Sequence, residues 1–272
     1  MTRRAIPVCR PRSARRGVAL VLVLWLVVIL GGLGASVLQA ARTSSALAAN
    51  VRASAVARYA AESGIAATVA AVERRLATAS DTLARIAFLN GLASAAHDSI
   101  ALGEGRVAVA ISDPSARLDV NAAPQTNLAT LLSHFTDVGR ATETARSIRQ
   151  WIERPSSTEG DGRMQAFGNG PSRFVTPIRS LEELRHLPGV DVQALERAAP
   201  YLTIDGDGTI NRRTAPDTVM SAAFGELRDE PSRLVIIARG WHSGHTLTHE
   251  IQAVYAVSGT NLVLVHWRER VL

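Results

Sequence analysis

Lysine is absent from this chain, and cysteine and aromatic residues are scarce. The single cysteine, Cys9, stands in an arginine-rich N-terminal segment, so the rest of the chain can close no disulfide within itself. All 30 basic residues are therefore arginine, set against 24 acids. The excess is local. Arg3, Arg4, Arg10, Arg12, Arg15 and Arg16 crowd a segment that has no Asp or Glu, and the remaining arginines balance the acids. A formally neutral body lacks the cationic excess with which nucleic-acid binders neutralise phosphate, so no nucleic acid is expected as a partner. No serine sits in a nucleophile motif, and nothing in the sequence supports an enzyme. The apolar fraction of 47% is ample for a packed core.

Charge is also missing from Val18 to Ala41. That run exceeds the roughly 20 residues that cross a bilayer as a helix, and inside hydrocarbon the backbone must satisfy itself by being helical. Arginines on its N-terminal side predict a cytoplasmic N-terminus, with the bulk of the chain on the far side. Leu20, Leu24, Trp25, Leu26 and Leu38 are the expected membrane residues. The competing readings are a plain signal anchor and a secretory signal cut near Ala46-Leu47-Ala48. Such a signal usually has an apolar region of only about 7–15 residues.

Helical character continues past the membrane. Arg42 to Leu76 is rich in alanine, the best helix former. Leu47, Val51, Ala55, Val56, Tyr59, Ile65, Val69, Val72 and Leu76 recur at three- and four-residue steps, which predicts a stripe packed on the rest of the protein and on partner helices. Val18 to Leu76 reads as one helix on the order of 85 Å long. Gly31, Gly32 and Gly34 are its weak points.

Asp81 can cap a short helix through Leu92, and Arg106–Asp113 alternates as a strand does. Helices follow at Asn127–Leu132, at Thr142–Glu153, from Ser180 with Glu183 completing a capping box, and through Ala198. Leu118–Thr126 and Ile210–Thr218 form a faint repeat, each with an Ala-Pro pair before a predicted helix. They read as the two ends of a helical insertion in a sheet. Leu234–Trp241 and Thr246–Tyr255 flank Ser243-Gly244 as a hairpin, and Asn261–Trp267 adds a third strand.

The junction Gly17-Val18-Ala19-Leu20 resembles the leader of type IV pilin-like proteins, which a prepilin peptidase cuts after the glycine. With the stalk, the Leu118–Pro124 motif, Ser180–Val190 and Ile210–Pro216, the order of elements resembles the K-type minor pseudopilin of the type II secretion system. The resemblance covers nearly the whole chain. It implies an α+β fold: a pilin-like long N-terminal helix on a small antiparallel sheet, with a large helical domain inserted between strands. Residues 1–17 would be the leader, 18–76 the transmembrane and stalk helix, and 77–113 a linker helix and first strand. Residues 114–204 would be the insertion, framed by Asn121, Pro124, Asn211 and Pro216, and 205–272 the C-terminal β part.

The resemblance further implies cleavage after Gly17, methylation of Val18, and a single-pass inner-membrane protein with its bulk in the periplasm. Its partners would be I- and J-type minor pseudopilins, the major pseudopilin and the prepilin peptidase. Pilin-like subunits usually carry glutamate at the fifth mature position, where it pairs with a neighbour's terminal amine. Here that position is Leu22, as in K-type subunits, which implies a place at the fibre tip.

Two other readings stand beside it. One is a minor pilin of a type IV pilus. The other is a membrane-anchored competence-type DNA-binding protein, because Ser180–Val190 also resembles a helix-hairpin-helix unit.

No cofactor is expected, and metal is unassigned. Asp205-Gly206-Asp207-Gly208 starts like a calcium loop, but Pro216 falls where an EF-hand needs its bidentate glutamate. Glu159-Gly160-Asp161-Gly162 is a second candidate, and some K-type relatives bind calcium. His242, His245 and His249 sit near one hairpin, where strand spacing sets the last two about 13 Å apart, against a shared zinc.

Overall fold

The computed structural model describes residues 15–92, 99–154, 163–165, 173–175 and 177–272. The chain falls into two compact units, Met1–Ala53 and Ser54–Leu272. Among the described residues the first is helical throughout and belongs to helix α1 (Arg15–Ala77). Gly31, Gly32 and Gly34 do not interrupt that helix.

In the second unit, helix α2 (Thr82–Leu92) starts where expected: the Ala84 amide donates to the Asp81 carboxylate at 2.7 Å. Strand β1 (Ile100–Leu102) was not foreseen. It pairs with β2 (Gly105–Ser112), the strand anticipated at Arg106–Asp113. The chain then enters the insertion: β3 (Leu118–Asp119), α3 (Gln125–Leu132), α4 (Val138–Ile152), β4 (Arg163–Gln165), β5 (Arg173–Val175), α5 (Val192–Ala198), β6 (Leu202–Thr203), β7 (Ile210–Asn211), α6 (Asp217–Ser221) and β8 (Leu227–Arg228). It returns in β9 (Arg233–His242), β10 (Thr248–Ser258) and β11 (Asn261–Val271).

The five-stranded antiparallel sheet has the order β1-β2-β9-β10-β11. Alternation along β2 and β9 turns Val107, Val109, Ile111, Ile236 and Ala238 to one face. On that face Ala60, Ala61 and Ile65 of α1 meet Val107, Val109, Ile236, Ala238, Ile251 and Ala253. Further along, Val72 and Leu76 meet Leu89, Ile111, Leu234 and Leu262.

The buried face of α1 keeps Ile65, Val72 and Leu76 of the expected stripe but not its earlier members. Leu47, Val51 and Tyr59 are exposed, whereas Ala53, Ala57, Ala60, Ala61 and Gly64 are buried. The reason is distance. A Cβ at Gly240 would lie 2.1 Å from the Ala57 carbonyl oxygen and 2.6 Å from the Ala61 amide, so helix and strand touch backbone to backbone. At that separation only small side chains fit between them.

The insertion has its own core. Leu128, Leu131, Leu132, Ala145, Ile148, Ile152, Leu184 and Leu195 pack with Leu118, Val120 and Leu202. Ile210, Val219 and Ala222 belong to the same core, and the sheet resumes only at Arg233. The segment 205–232, assigned from the sequence to the C-terminal β part, thus packs with the insertion. Helix α4 begins before Thr142 because Asp137 caps it, accepting from the Arg140 amide at 3.0 Å. The segment after Ser180 is a 3-10 helix, Leu181–His186. Glu183 accepts from the Arg179 amide instead of closing a box on Ser180.

Candidate functional site

Of the segment 1–17 expected as a leader, residues 1–14 lie outside the described residues; Gly17 and Val18 fall in the first turns of α1. Leu20, Leu22, Leu24, Trp25, Leu26 and Leu38 are all exposed, in a helix long and apolar enough to cross a membrane. Leu22 is 64% exposed. As an aliphatic side chain in a lipid-compatible stretch, it offers no charge for a partner's amine to meet.

The insertion-framing motifs are structurally equivalent, in the register of the sequence repeat. In the first, the Asp119 side chain accepts from the Asn121 amide at 2.9 Å, and the Asp119 carbonyl accepts from the Ala123 amide at 2.8 Å. In the second, Asn211 accepts from the Arg213 amide at 3.1 Å and from the Ala215 amide at 2.9 Å. Pro124 and Pro216 then stand as the N-caps of α3 and α6. The matching pair is therefore Asp119 and Asn211, each forming a local Asx turn. Asn121 instead ties the motif to a distant segment. Its side-chain amide donates to the Ile178 carbonyl at 3.0 Å and accepts from the Ile178 amide at 2.7 Å. Asn211 also donates to Asn90 (2.7 Å) and Asp113 (2.8 Å), joining the insertion to α2 and to the end of β2.

The loop read as a calcium candidate is held by cations and amides of the protein itself. Asp205 is buried and accepts from Arg268, from Gln252 at 2.8 Å and from His266 at 3.2 Å. Asp207 accepts from Thr209 and from Ser232 at 3.0 Å. Burial works against the Asp207 carboxylate, but those hydrogen bonds and the nearby Arg233 together hold it below the usual range. Asp119 shows the opposite balance. Burial dominates the hydrogen bonds and the charge of Arg233, and raises its pKa to about 6. Among the described residues no three His, Cys, Asp or Glu side chains converge as metal ligands. The Glu159–Gly162 candidate lies outside the described residues.

The hairpin histidines separate in the same way. The rings of His242 and His245 lie 5.2 Å apart, while buried His249 faces Glu269 at 3.3 Å. His134 Nε2 is 2.9 Å from Ser221 Oγ, and that hydroxyl also lies within bonding distance of the Thr218 carbonyl. In the Ser180–Val190 segment, Leu184 and Leu187 face the core. Asp191 caps α5, and its own amide donates to Thr144 at 3.0 Å.

One signal for the Asp205 cluster was present in the sequence. His266, Arg268 and Arg270 alternate along the last strand, which marks a charged sheet face needing acidic partners.

No protein-family model and no curated protein matches the sequence. A chain in the crystal structure of the GspK-GspI-GspJ complex from the enterotoxigenic Escherichia coli type 2 secretion system does match in three dimensions. The superposition has a TM-score of 0.59 at 16% identity and covers 84% of this chain and 99% of that one. The fold is pilin-like. The long N-terminal helix and the antiparallel sheet are the parts that define it, and in this pilin-like chain the insertion lies between β2 and β9.

Proposed function

We propose that this chain is a K-type minor pseudopilin of a type II secretion system, a non-enzymatic subunit at the tip of the pseudopilus. The observation that carries the reading is the likeness in fold to a chain of a GspK-GspI-GspJ complex over nearly the whole of that chain. Supporting it are the Gly17-Val18 junction, the apolar start of α1 and the body inserted between β2 and β9. In this reading a peptidase removes residues 1–17, Val18 becomes the methylated N-terminus, and the helix holds the subunit in the inner membrane with its bulk in the periplasm. I- and J-type subunits pack beside it. Leu22 leaves it unable to dock beneath another subunit, and the bulk of the insertion blocks stacking above. It thereby helps to initiate and cap the fibre that drives folded exoproteins through the outer membrane.

Two measurements test this. Mass spectrometry of the mature protein should give a methylated Val18 terminus; a start near Ala49 would mean ordinary secretion. Coexpression with I- and J-type subunits should yield a stoichiometric complex. Recovery of this chain along the fibre shaft would contradict a tip position.

A further inference from the structure

β11 is the last strand of the sheet, and its two faces are unlike. Residues directly opposite across antiparallel strands share a face. His266, Arg268 and Arg270 lie opposite Val254, Gln252 and Glu250, away from α1, and they bond Asp205 and Glu250. Leu264, Trp267 and Val271 lie opposite Tyr255, Ala253 and His249, on the face that carries α1. Only Leu262 of β11 joins a core on that face. Leu264, Trp267 and Val271 are 51%, 43% and 59% exposed. The charged face of this edge strand is thus partnered and its apolar face is open, the reverse of what an edge facing water calls for.

Spacing explains why α1 leaves that face open, and what fits there. α1 meets β9 backbone to backbone at Gly240. Neighbouring strands lie about 4.8 Å apart, so β11, two strands along, is about 10 Å to the side of that contact. Packed helices sit about 8–10 Å apart, so the lane over Leu264 and Trp267 is one helix width from α1. Its near wall is the flank of α1 that carries Glu62, Ala66 and Val69. Polar ties mark its ends: Arg58 reaches Glu269 at 3.5 Å, and the Glu73 carboxylate accepts from the Leu262 amide at 2.9 Å. From Arg58 to Glu73 the helix rises about 22 Å, roughly four turns. Leu264 and Trp267 fall between the two ties.

We infer that this trough receives an α-helix of an adjoining minor pseudopilin, laid alongside α1 with its apolar stripe on Trp267 and Leu264. The inference rests on the function proposed above. A strand added to the edge of β11 would leave these side chains uncovered, because they project out of the plane of the sheet. Size argues against a second copy of this chain. The three side chains offer on the order of 300 Å² of open surface, against about 800 Å² per partner in a stable interface. A patch that small holds a partner already confined beside it, as a subunit anchored in the same membrane is. An aromatic centre between charged ends is also the pattern of a hot spot inside a polar rim.

The test uses the full chain coexpressed with I- and J-type subunits. Photoreactive benzoylphenylalanine replaces Trp267 or Leu264, with Val263, exposed on the opposite face of β11, as the control position. The probes at Trp267 and Leu264 should crosslink to a helical segment of one partner, and the probe at Val263 should not. In copurification, Leu264→Arg should cut the yield of complex about tenfold, and Val263→Arg should leave it unchanged. If Leu264→Arg lowers the melting temperature of the chain alone, the crosslinks decide. Crosslinks to a strand or to a second copy of this chain would overturn the inference, as would equal crosslinking from all three positions. Failure of the parent chain to copurify with either subunit would instead overturn the proposed function, and this inference with it.

Discussion

Replacing Gly240 with alanine should cost this protein more than any other single methyl group added to its sheet. The new Cβ would sit 2.1 Å from the Ala57 carbonyl oxygen, where ordinary contact begins near 3.4 Å. The obstacle is helix backbone, which has no rotamer to change, so α1 must retreat by about 1.3 Å. Retreat loosens the contacts of Ala57, Ala60, Ala61 and Ile65 together. Overpacking of this kind costs about 1–3 kcal/mol, and partial loss of that apolar seam adds on the order of 1–2 more. At roughly 2–4 °C per kcal/mol for a body of this size, the melting temperature should fall by about 5–15 °C. Thermal denaturation followed by circular dichroism reads this directly. Gly91→Ala is the control: its Cβ would meet nothing within 4 Å, and alanine favours the helix it sits in. A Gly240→Ala melting temperature within about 1 °C of the parent would refute the backbone-contact argument.

Asp119→Asn should flatten the pH dependence of stability. The folded pKa of about 6 exceeds the ordinary carboxylate value, so the contribution of Asp119 is full below about pH 4 and is lost as pH rises through about 6. The variant should gain up to about 3 kcal/mol at pH 7.5 and little at pH 4, read from urea unfolding at both pH values. Asn121→Ala strands both backbone groups of Ile178 and should cost about 2–3 kcal/mol in the same assay. Leu22→Glu should leave assembly with I- and J-type subunits unchanged or impaired in copurification, and a better yield of complex would count against the tip role.

How much of this was legible depends on how local each signal is. α1 announces itself through an uncharged run and then through alanine, and β2, β9 and β10 through alternation, because these patterns need no partner to be read. Periodicity finds Ile65, Val72 and Leu76 but misses the small residues of the packed face for a definite reason. It ranks Tyr59 with the packed stripe, but the approach of Gly240 selects Ala57 and Ala61 beside it. That glycine lies far away in the chain, and only the fold reveals what it faces. The boundary at residue 205 failed for a related reason. Two-residue strands and a five-residue helix carry too few positions to show which core they join.

The repeat shows sequence similarity and structural equivalence keeping one register. Aligned from Leu118 and Ile210, the two copies set Asp119 against Asn211, and the backbone pairs the same two residues. Each ends a short parallel bridge, accepts the amide two residues on at its side-chain oxygen and hands the chain to a proline-led helix. An amide fills that role in the second copy without charge. A carboxylate fills it in the first at the cost of burial, next to Arg233 and Asp205. The turn geometry therefore does not require the acid. What the acid adds is a buried charge, so Asp119→Asn should leave the Asx turn and α3 in place while removing the pH dependence that the carboxylate brings, read from urea unfolding and from amide exchange at Leu128.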